Sequence, residues 1–123
     1  LHFQFEPKAQ SKLITVIKGE IQDVAVDLRK SSPTFGKYFS IILSDSNLKQ
    51  LFIPKGFAHG FLTLSKDSIV HYKVDNFYSP HCQSSIAFND KHIGINWSIN
   101  EKEIFTSDND RNNSNFLDIK YFN

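Results

Sequence analysis

The sequence predicts an all-β fold, a closed antiparallel barrel or sandwich, in a single domain covering residues 1–123. Three observations predict it. Apolar and β-branched residues come in short runs and almost never at helical spacing. Turn signals separate these runs at intervals of about 8–12 residues, the rhythm of sandwiches and barrels. Twelve phenylalanines and four tyrosines supply large apolar area for a small core.

Leu1 to Phe5 is a strand-like apolar run, and Leu13 to Ile17 is a second, rich in β-branched residues. Lys18-Gly19-Glu20 is a tight turn. Val24, Val26 and Leu28 then alternate with Ala25 and Asp27, so the spacing predicts a strand with one buried face. Proline and glycine mark Ser31 to Gly36 as a loop. Tyr38 to Leu43 is the next strand, and Asp45-Ser46-Asn47 turns the chain. Gln50 to Ile53 stops at Pro54, which has no N–H to give to a ladder. Gly60 to Leu64 and Ser68 to Val74 follow, then shorter runs at Ser85 to Phe88 and Ile93 to Trp97. Beyond Trp97 the chain becomes polar. A helical turn is expected around Glu101 to Phe105, and residues 106–114 read as loop.

Composition narrows the function. Fourteen Lys and Arg against 13 Asp and Glu leave a net charge of +1. That balance argues against a nucleic-acid binder held by a basic face. A lone cysteine, Cys82, makes no intramolecular disulfide and offers no metal-type spacing. No apolar run reaches the length that crosses a bilayer, and no basic-then-apolar secretion pattern opens the chain, so a cytoplasmic protein is expected. The sequence has no methionine and begins inside a strand-like run, so a missing N-terminal region is expected.

Five histidines are present, His2, His59, His71, His81 and His92. Pro54-Lys55-Gly56-Phe57-Ala58-His59 ends one strand, turns sharply and begins the next at His59. Such a turn either aims His59 into a barrel mouth or buries it as a satisfied core residue. The Pro-x-Gly-x-x-His spacing resembles the second motif of the cupin superfamily. The first cupin motif, His-x-His with a following Glu, has no counterpart. A stable metal site usually takes three or more ligands, so the expectation is a cupin-like jelly-roll barrel with no metal. Convergent His, Tyr, Lys and Asp side chains in such a barrel suit proton transfer.

Longer blocks make the resemblance specific. Leu1-His2-Phe3-Gln4 with Lys8-Ala9-Gln10-Ser11-Lys12-Leu13 is similar to the active-site segment of the deoxythymidine diphosphate (dTDP)-4-dehydrorhamnose 3,5-epimerases. Val26-Asp27-Leu28-Arg29, Ser32 to Gly36, Gln50 to Phe61, Tyr72 to Asp75, Tyr78-Ser79-Pro80, Phe88-Asn89-Asp90, Ile93 to Trp97 and Ser107 to Asp110 resemble the family's later blocks in order.

The resemblance implies an enzyme that inverts carbons 3 and 5 of a 4-keto-6-deoxyhexose carried on dTDP. It implies His2 as catalytic base and Asp110, rather than the nearby Asp108, as its carboxylate partner. Tyr72 would be a buried acid on the opposite face. Lys12 and His59 would bind substrate and support the ketone oxygen, Tyr78 would lie at the pocket rim, and Gln4 would touch substrate. It implies no cofactor and a homodimer. Departures are the absent Arg-Gly before Leu1, the segment His81-Cys82-Gln83, which lacks the glutamate common there, and Asn109 where a lysine is common. Inversion of only one carbon, or a decayed sugar-binding barrel without activity, are the alternatives.

Overall fold

The computed structural model describes all residues, 1–123. Eight strands form two antiparallel sheets: β1 (His2–Gln4), β2 (Lys12–Lys18), β3 (Glu20–Asp27), β4 (Tyr38–Ser44), β5 (Gln50–Ile53), β6 (Phe57–Thr63), β7 (Ile69–Val74) and β8 (Gln83–Ser85). The larger sheet has the order β4-β3-β6-β1-β8, and the smaller has β5-β2-β7. Together they make the expected all-β jelly roll.

Two apolar clusters explain why the sheets face each other. Ile14, Val16, Ile21, Ala25, Leu43 and Ile53 pack between them. Leu1, Phe3, Val24, Val26, Leu28 and Ala58 face the other way and meet Ile86, Ile93 and Phe116 from the C-terminal segment. The central strand β3 is therefore buried on both faces, from Ile21 to Asp27. This corrects the one-faced strand expected from its alternation. The alternation is real, but the smaller sheet, through Ile14 and Val16, covers the Ala25 side that would otherwise face water, while the C-terminal segment covers the valines.

The C-terminal third differs most from expectation. The last strand is Gln83–Ser85 instead of Ser85 to Phe88, and residues 93–97 form no strand. Asp90 dictates that path. Its Oδ1 accepts the amides of His92 and Ile93, and its Oδ2 accepts that of Phe116. A carboxylate that satisfies three backbone amides stands in for a ladder. A 3-10 turn, Glu101–Glu103, lies in the region where a helical turn was expected. The polar stretch holds one α-turn, α1 (Asp108–Arg111), whose N-cap Ser107 accepts from the Asp110 amide.

The Pro54-Lys55-Gly56 turn behaves as the sequence predicts, except that β6 starts at Phe57, two residues before His59. Gly56 has φ 88°, and a Cβ there would sit 2.6 Å from Arg29 Cγ. Glycine meets both demands. Below this turn Asp27 takes hydrogen bonds from Arg29, Ser32 and Thr34, fixing the loop after β3. Burial pushes the Asp27 carboxyl up, but these donors outweigh it and hold it well below the usual carboxylate range.

Candidate active site

Strand register sets the site. Side chains of directly opposed residues in an antiparallel pair share a face. Ala25 opposes His59, and His59 opposes His2, so both histidines face the space between the sheets. Gln4 and Gln83 oppose each other on the same face. Across the gap, Ile14 opposes Tyr72 and Lys12 opposes Val74, which turns Lys12 and Tyr72 inward from the smaller sheet. Between them lies a cleft of about 1010 Å³, whose lining includes His2, Lys12, His59, Tyr72, Tyr78 and Asp110. The six come from both sheets and from the C-terminal segment.

His2 Nε2 lies 2.6 Å from Asp110 Oδ1. Burial raises the Asp110 carboxyl, but the hydrogen bond and charge of His2 outweigh it and hold the group below its usual value. An ionised carboxylate only accepts, so Nε2 is the donor and carries a hydrogen. Asp110 is itself held: Ser107 Oγ donates to Oδ2 and Asn113 Nδ2 donates to Oδ1, each at 3.3 Å. Asn113 in turn accepts from Ser85 Oγ, and Ser85 opposes His2 in the ladder. The ring and its carboxylate are thus tied back to one pair of strands. Asp108 takes no part in this ring of contacts; its carbonyl accepts from Asn112.

A second histidine–carboxylate pair lies deeper. His59 Nε2 sits 2.5 Å from Asp23 Oδ1, with side chains 8% and 0% exposed. Asp23 Oδ2 is buried and has no hydrogen-bond partner. The Asp23 charge also acts on the Lys12 ammonium across the cleft. Burial lowers the Lys12 ammonium, and the Asp23 carboxylate partly offsets that. A lysine in this state is a short step from giving its hydrogen bond to an oxyanion.

The remaining expected residues divide. Tyr72 lines the cleft but is 58% exposed, which corrects the buried phenol expected for it. Tyr78 stands at the rim, 68% exposed. Gln4 is buried with its polar atoms given to main chain: its amide donates to the Lys8 and Phe77 carbonyls, and its Oε1 accepts the Ser79 amide. It ties down the loop carrying Phe77 and Tyr78. Sequence reasoning missed Asp23, Gln83, Ser85 and Asn113. Asp23 has the parity of Ala25 and Asp27, off the face that the valines mark as buried, so no local pattern singles it out. The other three meet His2 and Asp110 only after the chain has folded back, which no local pattern reports. No group of three or more His, Cys, Asp or Glu stands close enough to hold a metal ion, and no helix is long and apolar enough to cross a membrane.

Comparison with known proteins identifies the family and the fold. The family model for dTDP-4-dehydrorhamnose 3,5-epimerase matches residues 1–118. The chain is 49% identical over 122 residues to the dTDP-4-dehydrorhamnose 3,5-epimerase of Shigella flexneri, covering 99% of this chain and 66% of that protein. The crystal structure of the dTDP-4-dehydrorhamnose 3,5-epimerase from Elizabethkingia anophelis NUHP1 superposes with a TM-score of 0.96 at 44% identity, over 98% of this chain and 66% of that one. The Legionella pneumophila dTDP-6-deoxy-D-glucose-3,5-epimerase, solved with dTDP-4-keto-L-rhamnose, gives a TM-score of 0.84 at 44% identity, over 89% and 57% of the two chains. The chain therefore spans slightly under two thirds of the length of these relatives. With a family match over nearly its whole length and the same fold as solved members, this chain belongs to the dTDP-4-dehydrorhamnose 3,5-epimerase family.

Proposed function

We propose that the protein epimerises dTDP-4-dehydro-6-deoxy-D-glucose at carbons 3 and 5, giving dTDP-4-dehydro-L-rhamnose. One observation carries the reading. A histidine with a fixed tautomer, His2 on Asp110, stands on one wall of a cleft whose opposite wall presents Lys12 and Tyr72. Inversion beside a ketone needs a base on one face, an acid on the other and a positive group at the oxygen.

In this reading His2 takes the proton from carbon, and the C–H electron pair moves onto the ketone oxygen as an enolate. Asp110 stabilises the imidazolium that results. Lys12 and His59 face the enolate oxygen and support its charge. Tyr72 returns a proton to carbon from the opposite face, and its exposure lets solvent restore the phenol afterwards. His2 gives its proton back to water. The step moves protons without changing oxidation state, so it calls for no redox cofactor. Tyr78 borders the entrance, and Gln4 acts through the loop it holds.

The same reading places the enzyme in the cytoplasm as a homodimer. The family match supports the dimer, as do apolar side chains left in solvent, Phe52 at 63% and Phe39 at 54% exposure. Sedimentation tests the assembly.

Proton NMR of dTDP-4-keto-6-deoxyglucose with the protein in deuterated water tests the activity. Deuterium is expected at carbons 3 and 5. Uptake at one carbon alone would make the protein a single-centre epimerase. No uptake at either would leave a sugar-binding barrel without this chemistry.

A further inference from the structure

We infer that Gln83 is a positioning residue for His2, holding the ring through Nδ1 and serving it in both protonation states by turning its amide over. The inference rests on His2 being the base.

Asp110 occupies Nε2 as a pure acceptor, so Nε2 keeps its hydrogen whether the ring is neutral or charged. Nδ1 is then the nitrogen that gains and loses the substrate proton. The side chain that meets it belongs to Gln83, whose Nε2 lies 3.1 Å from His2 Nδ1. Gln83 is placed there by the ladder. It opposes Gln4 on β8, two residues along from the His2–Ser85 pair, so its side chain rises on the same face as the His2 ring.

A carboxamide carries a donor and an acceptor on one planar end. With its N–H toward Nδ1, it holds the neutral ring before substrate enters, and the substrate C–H displaces it from the single lone pair when the proton is taken. With Oε1 toward Nδ1, reached by a half turn of the amide, it accepts the N–H of the imidazolium. A carboxylate at this position would serve only the charged ring, and an apolar side chain would serve neither. Gln83 thus lets His2 cycle between states without losing its orientation, while Asp110 fixes the other nitrogen.

Other groups face the same ring. Asp110 lies at the Nε2 side, and His59 opposes His2 on β6. Lys12 and Tyr72 face it from the smaller sheet, and Glu103 lies on the cleft wall. All of these stay in place in Gln83→Glu, a substitution of the same shape, so a change in His2 titration is assignable to position 83.

The experiment is a titration of the His2 ring by ¹⁵N NMR in the parent and in Gln83→Glu, with the pH profile of deuterium uptake recorded beside it. The His2 midpoint is expected to rise by about one unit or more in the variant, as for a carboxylate brought against an imidazole. The pH of half-maximal uptake is expected to rise with it, and the His59 resonances to stay unchanged. Coincident His2 midpoints in the two proteins would overturn the inference. The titration needs no substrate. A moved midpoint in a protein that exchanges no deuterium would therefore remove the activity and leave the positioning role standing.

Discussion

The molecule contains two histidine–aspartate pairs of nearly the same length in very different surroundings. His2 and Asp110 are each 39% exposed, and Asp110 comes from a four-residue turn late in the chain. His59 and Asp23 are almost fully buried and come from adjacent strands of one sheet. The contrast teaches that pair geometry alone does not define a catalytic group. A proton acceptor must also trade protons with substrate and water, which the outer pair is placed to do. The inner pair has little contact with water, and its spare carboxylate oxygen has no partner. It sits at the floor of the cleft, where the Asp23 charge acts on Lys12.

Removing one partner from each pair separates these roles. His2→Ala is expected to lower deuterium uptake by about 10³-fold, within the usual range for a general base. It should change the free energy of urea unfolding by no more than about 0.5 kcal/mol, because the ring is solvent-accessible. His59→Ala is expected to act first on stability. It leaves Asp23 buried and unpaired, so it should cost about 3–5 kcal/mol in urea unfolding. Equal stability losses from the two substitutions would erase the distinction.

A third carboxylate sharpens the buried side of the comparison. Asp27 is 1% exposed, yet unlike Asp23 it has donors on both oxygens. Asp27→Asn is expected to cost about 2 kcal/mol through lost charge-assisted bonds. The sign of the pH effect follows from its depressed value. Its stabilisation is complete above the usual carboxylate pKa of about 3.8 and disappears as pH falls towards the folded value. The parent should therefore lose stability on acidification below about pH 4, and Asp27→Asn should flatten that limb of the curve. An unchanged acid limb would show that the network contributes nothing.

Asp110→Asn, like His2→Ala, is expected to have only a small effect on stability. The pair with His2 is solvent-screened, so the loss should stay under about 1 kcal/mol. Asp110 is also depressed, so its small contribution likewise holds above the usual carboxylate range and fades as pH falls through its own lower value. Deuterium uptake should nevertheless drop steeply, since the neutral amide neither fixes the tautomer nor offsets the imidazolium.

The strands were legible where local chemistry ended them. Gln50–Ile53 is read from Pro54, and the β2–β3 turn from Gly19, which takes φ 83°. The burial of β3 was half legible. Its valines announced one apolar face, but the second is a product of packing against Ile14 and Val16 from a sheet that forms separately. The path of residues 86–123 was not legible, because it depends on Asp90 capturing amides up to 26 residues away instead of on any repeating pattern. The cleft residues His2, Lys12 and Tyr72 were visible through the family resemblance and not through spacing. Gln83, Asn113 and Ser85 escaped because each acts through a hydrogen bond across the chain, and the same polar residues in a sequence ordinarily face water.

Deuterium uptake at carbons 3 and 5, followed in parent and His2→Ala proteins side by side, tests the account most directly. Uptake is expected at both carbons in the parent and about 10³-fold more slowly in a folded His2→Ala variant. Uptake at the parent rate in that variant would contradict the account and move the base to another group in the cleft.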